Sequence, residues 1–321
     1  ALEAYAYLID QGKTNTFFQN ALFGYAKTLE LSIMKEEKLS KNKVLGIIDR
    51  YSRIISEFPN SQNSDEAYIR IANLYLHQLN EPEKAARELN TLLKVSGNRR
   101  ITANASNLLG TIYLMQNKLE DAKVLFSNVS KKFEKLAPEE YYFALYKLAE
   151  IEYYSGNIDT AYSRYLEISN LSNTDVANDA IEKILFIDQN RNFNKAFASF
   201  TKAELLEFQK NYNLAIENYF LAYESAPLSN LAELSLIRIA QIYFLQSKFS
   251  DAIKTLEQLL DKHKETIYGD LALITIANSY FAESNYDKAI EKYTDLLSKY
   301  PRSIYLEEAR NKIRIIRDRL N

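Results

Sequence analysis

Cysteine is absent from this chain of 321 residues, and histidine occurs only twice. Without cysteine there can be no disulfide, no thiol nucleophile and no thiolate metal site. His77 and His263 are far apart in sequence and no H-E-x-x-H motif occurs, so we expect two surface histidines and no metal site. The absence of cysteine is compatible with both the cytosol and an oxidising compartment.

Glycine and proline are also scarce, with 7 and 5 residues respectively. Folds that are rich in turns and strands need more of both. The prolines lie between stretches of apolar periodicity: Pro59, Pro82, Pro138, Pro227 and Pro301. This distribution is typical of long helices joined by short turns. No phosphate-binding glycine loop and no G-x-S-x-G motif occurs, so the sequence predicts an all-α protein that is not an enzyme and has no cofactor.

The basic residues do not form a cluster of the kind that indicates nucleic-acid binding. The net charge is −2, and Arg99-Arg100 and Lys131-Lys132 are isolated basic pairs, whereas a nucleic-acid interface needs a basic face. No run of 18 apolar residues occurs, so the chain contains no predicted transmembrane segment. The chain begins at Ala1 and not at Met, from which we expect a preceding segment to have been removed.

What the chain does contain is an internal repeat, visible as four sets of matched positions. Small residues recur in the first half of each repeat: Ala72, Gly110, Ala149, Ala203, Ala240 and Ala277. Alanines recur early in the second half: Ala85, Ala122, Ala161, Ala215, Ala252 and Ala289. Large residues follow these alanines by four positions: Leu89, Phe126, Tyr165, Tyr219, Leu256 and Tyr293. Apolar or small residues follow by seven: Leu92, Val129, Ile168, Ala222, Leu259 and Leu296.

This spacing predicts helical hairpins that stack on one another. Positions four and seven apart share one helical face. A small residue on the first helix allows the second helix to approach closely, and the large residue fills the space towards the next hairpin. An earlier hairpin, residues 16–57, has the same ending but a degenerate first helix. The pattern therefore predicts about seven hairpins.

The pattern resembles the tetratricopeptide repeat over roughly residues 16–321. The resemblance implies an α-solenoid, a right-handed superhelix, that binds protein or peptide partners without catalysis. The Phe58-Pro59-Asn60-Ser61 and Tyr300-Pro301-Arg302-Ser303 junctions are similar to bacterial cell-envelope members of the barrel-assembly lipoprotein and Tol-Pal coordinator type. The resemblance thus implies an envelope scaffold, periplasmic or outer-membrane-associated, with a cytoplasmic location as the alternative.

One interval breaks the repeat. The second-half alanines are 37, 39, 54, 37 and 37 residues apart, and the long interval has room for one extra helix. We predict this helix at residues 175–189, and we expect the array to change direction there; the alternative is a drifted repeat with an unchanged fold. The predicted divisions are residues 1–174, 175–192 and 193–321. The predicted apolar face of the extra helix is Val176, Ala180, Ile181, Ile184 and Leu185.

The last helix, residues 304–320, is predicted to be a cap, because the end of a repeat array needs a polar outer surface. Its predicted apolar face is Leu306, Ala309, Ile313, Ile316 and Leu320. Its other face carries Arg310, Arg314 and Arg317. We interpret these arginines as solvated surface, with an acidic partner as the alternative.

The candidate site is the row of first-helix residues that should line the inner wall. The row consists of Phe143, Tyr146, Glu150, Tyr153, Tyr154, Phe197, Phe200, Glu204, Ile237, Gln241, Phe244, Ile274, Asn278 and Phe281. Apolar and aromatic groups flank a polar line, which predicts a groove for an extended or helical partner segment. We expect that segment to carry a Lys or Arg that meets Glu150 and Glu204.

Two alternatives to the groove stay open at this point. The same row could pack against neighbouring helices, and burial of most of Phe143, Tyr146, Tyr153, Phe197 and Phe200 would place binding on the outer face instead. The chain could also be a structural subunit of an envelope complex, or a regulatory domain of a longer protein. A two-carboxylate clamp, known in the family the pattern resembles, is not supported, because only Asn73 and Asn278 match it.

Overall fold

The computed structural model describes residues 1–34, 40–171 and 175–320, with Leu320 described by its backbone alone. Over this part of the chain there are seventeen α-helices and no strand. The helices are α1 Leu2–Asp10, α2 Phe18–Ile33, α3 Lys41–Glu57, α4 Gln62–Asn73, α5 Pro82–Val95, α6 Arg99–Met115, α7 Leu119–Lys132, α8 Pro138–Tyr154, α9 Ile158–Ser169, α10 Asp175–Asn190, α11 Asn194–Phe208, α12 Tyr212–Ser225, α13 Asn230–Leu245, α14 Phe249–Lys262, α15 Gly269–Ala282, α16 Tyr286–Lys299 and α17 Leu306–Leu320. A π-helical turn, Leu74–Gln78, extends α4. The predicted all-α repeat fold is confirmed.

The repeat positions identified in the sequence form the core of the hairpins. The small residues of the first helices, the alanines of the second helices and the residues four and seven positions later are all buried. Tyr165, Tyr219 and Tyr293 are fully buried despite their size. The predicted hairpin packing is therefore confirmed at each of these positions.

The hairpins also share one tight turn that the sequence did not reveal. The second residue after the first helix has a positive φ, between 52° and 79°, in six hairpins: Asn80, Asn117, Gly156, Lys210, Ser247 and Ser284. In five of these turns the next residue donates its backbone N–H to a carbonyl five positions back, as Lys248 does to Tyr243 at 2.8 Å, and in the first turn Glu81 donates to the Tyr75 carbonyl, six positions back. This geometry satisfies carbonyls at the helix end and turns the chain into the second helix.

The helices form two compact units, and the core of each is described separately. One unit comprises Ala1–Ile151 and Arg164–Ala180, and the other comprises Glu152–Ser163 and Ile181–Asn321. In the first unit, Tyr51 of α3 and Leu89 of α5 are central, fully buried residues. In the second unit, Leu256 of α14 and Tyr293 of α16 hold the same position in their repeats. The three-part division proposed from the repeat spacing stays a prediction.

Gly110 shows why a small residue is needed on a first helix. A Cβ atom at Gly110 of α6 would lie 2.7 Å from Cζ of Phe126, the fully buried ring of α7. Gly46 of α3 is a natural control, because a Cβ there would meet nothing within 4 Å.

We expect Gly110→Ala to destabilise the protein by about 1–3 kcal/mol, because the Phe126 ring has to move out of a packed core. Gly46→Ala should instead stabilise it by about 0.5–1 kcal/mol, because alanine is the better helix former. Urea unfolding followed by circular dichroism measures both effects. Equal shifts in the two variants would contradict close packing at Gly110.

The extra helix is present as α10, Asp175–Asn190, which confirms a helix at residues 175–189. Its predicted apolar face is wrong except at Ala180, which is buried: Ile181 and Leu185 are exposed, and Val176 and Ile184 are half-buried. The buried residues are Ala177, Ala180, Ile187 and Asn190. The buried face is therefore rotated from the predicted one, because small alanines permit close packing. That the array changes direction here stays a prediction.

The last helix, α17, begins two residues later than predicted and packs as expected. Ala309 and Ile316 are fully buried in a cluster with Tyr293 and Leu296 of α16, and Ile313 packs beside them. Arg310, Arg314 and Arg317 are exposed, as predicted. The side chain of Leu320 lies outside the described part of the chain.

Candidate functional site

The aromatic part of the predicted groove is not an open wall. Tyr153, Phe197 and Phe200 are at most 3% exposed. Phe143 is 37% exposed, and Tyr146 is half-buried. Most of the five rings are thus buried, so the expectation of an open aromatic groove is wrong.

The extra helix is what covers these rings. Phe186 of α10 has its ring centroid 5.9 Å from that of Phe197 and 5.4 Å from that of Phe200. The ammonium group of Lys183 lies 4.6 Å from the centre of the Tyr153 ring. These distances are typical of aromatic packing and cation–π contact. In this region the chain's own helix occupies the place that was predicted for a partner.

The two glutamates of the row already have cations from the chain itself. Glu150 is buried and accepts a hydrogen bond from the ammonium group of Lys147 at 2.5 Å. Glu204 accepts from the Tyr153 hydroxyl at 2.5 Å and pairs with Lys183 at 3.3 Å. The expected cation from a partner is therefore not needed at either residue, and that part of the prediction is corrected.

Three other members of the row are also covered. Ile237 and Ile274 are buried at 4% and 3% exposure within the stacked first helices. Phe281 is half-buried, and Lys312 and Arg319 of α17 lie 4.3 Å and 5.4 Å from its ring centre. The capping helix thus closes the row at this end. Tyr154 is half-buried and contacts Tyr153 edge-on.

The remaining residues of the row line a cavity of about 360 Å³ in the second unit. Its walls come from α11, α13 and α15. The lining residues are Glu207, Gln241, Ile242, Phe244, Leu245, Thr275 and Asn278. The structure therefore brings together Gln241, Phe244 and Asn278 of the predicted set.

The polar groups of this cavity are held in fixed orientations by neighbouring tyrosines. The Tyr219 hydroxyl donates to Glu207 Oε2 at 2.6 Å, and the Tyr293 hydroxyl donates to Asn278 Oδ1 at 2.6 Å. Burial raises the pKa of both phenols, with Glu207 adding to the effect on Tyr219 and Glu308 to that on Tyr293, so they stay protonated donors. Asn278 Nδ2 donates in turn to Glu308 Oε1 at 3.0 Å. Glu207 and Asn278 are thus preoriented.

Two lining groups remain open to a ligand. Gln241 is exposed, and its amide makes no hydrogen bond to any residue that the structure describes. Leu245 ends α13 and is 65% exposed. Leu245, Ile242 and Thr275 were not predicted as site residues. Glu207 precedes Phe244 by the repeat length of 37 residues, so the repeat places it on the same inner wall.

The two histidines do not form a site. His77 is exposed, as expected, but His263 is only 8% exposed, so its predicted surface position is wrong. Nδ1 of His263 lies 3.2 Å from Oε1 of Glu233. The other carboxylate oxygen of Glu233, Oε2, accepts a hydrogen bond from the Thr266 hydroxyl at 2.6 Å. His263 is equivalent to Tyr300, which lies one repeat length of 37 residues further along the chain. Both side chains point towards the core. Across residues 1–34, 40–171 and 175–320, no group of three His, Asp or Glu side chains is suited to a metal ion.

Comparison with known proteins places two of the hairpins in a family. The tetratricopeptide repeat model matches residues 234–266 and 271–303, which cover most of α13–α14 and of α15–α16. The match is confined to these two hairpins, and the cavity lies between their first helices and α11. No curated protein sequence matches the chain significantly. No helix in the described residues is long and apolar enough to span a membrane.

Several solved structures are similar to this chain. A tetratricopeptide repeat protein from Parabacteroides merdae is 12% identical, with 93% of this chain and 98% of that one covered and a TM-score of 0.40. Yeast Tom70 is 16% identical, with 99% of this chain and 57% of that one covered and a TM-score of 0.42. The C-terminal part of a tetratricopeptide repeat-containing protein from Cytophaga hutchinsonii is 15% identical, with 91% and 99% covered and a TM-score of 0.38.

Proposed function

We propose that this protein is a non-catalytic scaffold that binds a segment of a partner protein in the cavity of its C-terminal repeats. Tetratricopeptide repeats generally mediate protein–protein interaction. The observation that carries the proposal is the cavity itself, because concave sites with apolar walls and a few oriented polar groups are where ligands bind. Its size suits one or two side chains of a bound segment.

The lining residues indicate what such a segment contains. Phe244 and Leu245 offer an apolar wall, so an aliphatic or aromatic side chain fits between them. The free amide of Gln241 can pair with a peptide group of the segment. The Glu207 carboxylate, whose nearest cation is Arg238 at 3.9 Å, favours a Lys or Arg at the mouth of the cavity.

The outer face is the competing location, because burial of most of the five aromatic rings was expected to move binding there. Leu214 and Leu221 of the second helix α12 are 44% and 49% exposed. Single exposed leucines are common on protein surfaces and do not by themselves mark an interface. The cavity combines apolar surface with oriented polar groups and is therefore the stronger candidate.

We expect Leu245→Asp to abolish partner binding, because it places a charge on the apolar wall next to the Glu207 carboxylate. Affinity purification of the tagged protein from its source organism, with quantification by mass spectrometry, measures the effect. At least one protein should fall by about tenfold or more relative to wild type, as expected for loss of a central apolar contact.

Leu221→Asp is the matched control, since it introduces the same charge at a similarly exposed leucine of the outer face. It should leave the set of co-purified proteins unchanged, and both variants should unfold at the wild-type temperature. Loss of partners with Leu221→Asp but not with Leu245→Asp would move the site to the outer face.

The proposed location is the bacterial cell envelope, either in the periplasm or at the outer membrane. The junctions Phe58-Pro59-Asn60-Ser61 and Tyr300-Pro301-Arg302-Ser303 support this proposal. Fractionation of source cells, followed by immunoblotting, should recover the protein with the envelope. Recovery in the cytosolic fraction would contradict the proposed location and would leave partner binding untouched.

A further inference from the structure

The C-terminal end of the chain carries a small excess of positive charge. Residues 299–319 contain seven Lys and Arg against three Asp and Glu, whereas the whole chain has 40 against 42. Five of these seven cations and all three acids lie on α17, the helix that packs against α16. A local excess of this size attracts an oppositely charged partner.

Three arginines of α17 form a row on its exposed side. Arg310, Arg314 and Arg317 follow the i, i+4, i+7 spacing of one helical face and are all exposed. The opposite side of the helix is fixed in the core by Ala309 and Ile316. The row extends about 10 Å along the helix axis, on a rigid element.

The other cations of this helix have partners, but the row has no acidic one. Lys312 and Arg319 lie over the Phe281 ring, and Arg319 also bonds the Tyr286 hydroxyl at 3.1 Å. Among the described residues, no carboxylate lies within ion-pair distance of the three arginines. Within residues 175–319, Arg314 bonds the Asn311 side chain at 3.2 Å, and the other two arginines have no polar side-chain contact.

The acids of α17 do not neutralise the row. Glu308 points to Asn278, whose amide donates to it. Glu307 and Asp318 border the row and are exposed, and neither forms an ion pair with a described residue. The row therefore keeps its three guanidinium groups open to solvent.

We propose that Arg310, Arg314 and Arg317 form a second docking surface, which binds an acidic helical segment of a partner protein. Guanidinium groups bind carboxylates in a bidentate manner, and carboxylates at i, i+4 and i+7 on the partner match the row. The pairs are exposed, so each contributes little and binding weakens as salt rises. This surface is separate from the cavity, and its use does not depend on the function proposed above.

The test uses a fluorescently labelled helical peptide with glutamates at positions i, i+4 and i+7, measured by anisotropy against the full chain. The triple variant Arg310→Glu, Arg314→Glu and Arg317→Glu should bind it at least about tenfold more weakly. The same peptide with glutamine in place of glutamate should not bind. Equal affinity of the wild-type chain for the two peptides would overturn the proposal.

The matched control carries the same change of charge on three exposed cations elsewhere, as Lys94→Glu, Arg99→Glu and Arg100→Glu. It should bind the acidic peptide about as tightly as wild type, and an equal loss would show that only overall charge matters. Vesicles containing phosphatidylserine and duplex DNA are the other anionic probes. If the vesicles or the DNA bind more tightly than the peptide, and this binding is lost in the triple arginine variant, the proposal of a protein partner is overturned. Leu245→Asp should leave peptide binding intact.

Discussion

Replacing Arg70 with methionine is expected to destabilise the protein by about 3–5 kcal/mol, because it leaves a buried carboxylate without its cation. Glu30 is only 7% exposed. Its Oε2 lies 3.0 Å from Arg70 Nη1 and accepts the Tyr51 hydroxyl at 2.6 Å. Urea unfolding of the variant measures the loss.

Arg53→Met is the matched control for this prediction. Arg53 pairs with Glu57 at 2.6 Å, but its side chain is 51% exposed, so its loss should cost no more than about 1 kcal/mol. Adding Glu30→Gln to Arg70→Met should recover part of the stability, because a neutral amide still bonds Tyr51. An effect of Arg70→Met as small as that of Arg53→Met would contradict a buried ion pair.

The second large effect is a steep loss of stability above pH 10. Tyr51, Tyr219 and Tyr293 are fully buried, and burial is the main reason that their pKa values are raised above the usual 10, with nearby Glu30, Glu207 and Glu308 adding to it. Below pH 10 the phenols are protonated in both the folded and the unfolded state. Above it only the unfolded state loses protons, so each tyrosine lowers the free energy of unfolding by about 1.4 kcal/mol per pH unit.

Urea unfolding between pH 9 and pH 11 measures this slope. Tyr219→Phe removes one titrating group and should flatten the slope by about 1.4 kcal/mol per pH unit. Tyr7→Phe changes a residue that is 66% exposed and should leave the slope unaltered. An unchanged slope in Tyr219→Phe would contradict the role given to buried phenols.

The hairpin core was predictable from the sequence because the spacing of residues within each helix is enough to identify the buried face. Offsets of four and seven from Ala252 or Ala289 select one helical face, and the repetition across six segments removes ambiguity. The same argument identified the capping face of α17, since Ala309 and Ile316 follow that spacing. These positions are buried by helices that are neighbours in sequence.

The prediction of an open aromatic groove was wrong because burial of these rings depends on which face α10 turns towards them. This helix lies outside the repeat, so the repeat spacing says nothing about its orientation. Counting apolar residues on α10 favoured Ile181 and Leu185, both of which the structure exposes. In the structure, Phe186 reaches the rings of Phe197 and Phe200. Asn190 turns its amide back to the Phe186 carbonyl at 2.8 Å. No periodicity within α10 reveals this choice of face.

The cavity was only partly predictable for a similar reason. Gln241 and Asn278 follow from the repeat, because they occupy equivalent positions 37 residues apart. Phe281 is equivalent to Phe244 in the same way, yet α17 covers it, and only the end of the array has such a helix. Leu245 lies at the end of α13, where the helix stops and the side chain reaches solvent.

The central claim, that a partner segment binds in the cavity of the second unit, is tested most directly by photo-crosslinking. The chain has no cysteine, so Leu245→Cys and Leu214→Cys each provide one attachment site for a benzophenone maleimide. In extracts of the source organism, the probe at position 245 should form a discrete adduct with a partner, which an excess of unlabelled protein abolishes. The probe at position 214 should form none. An adduct at position 214 without one at position 245 would contradict the account.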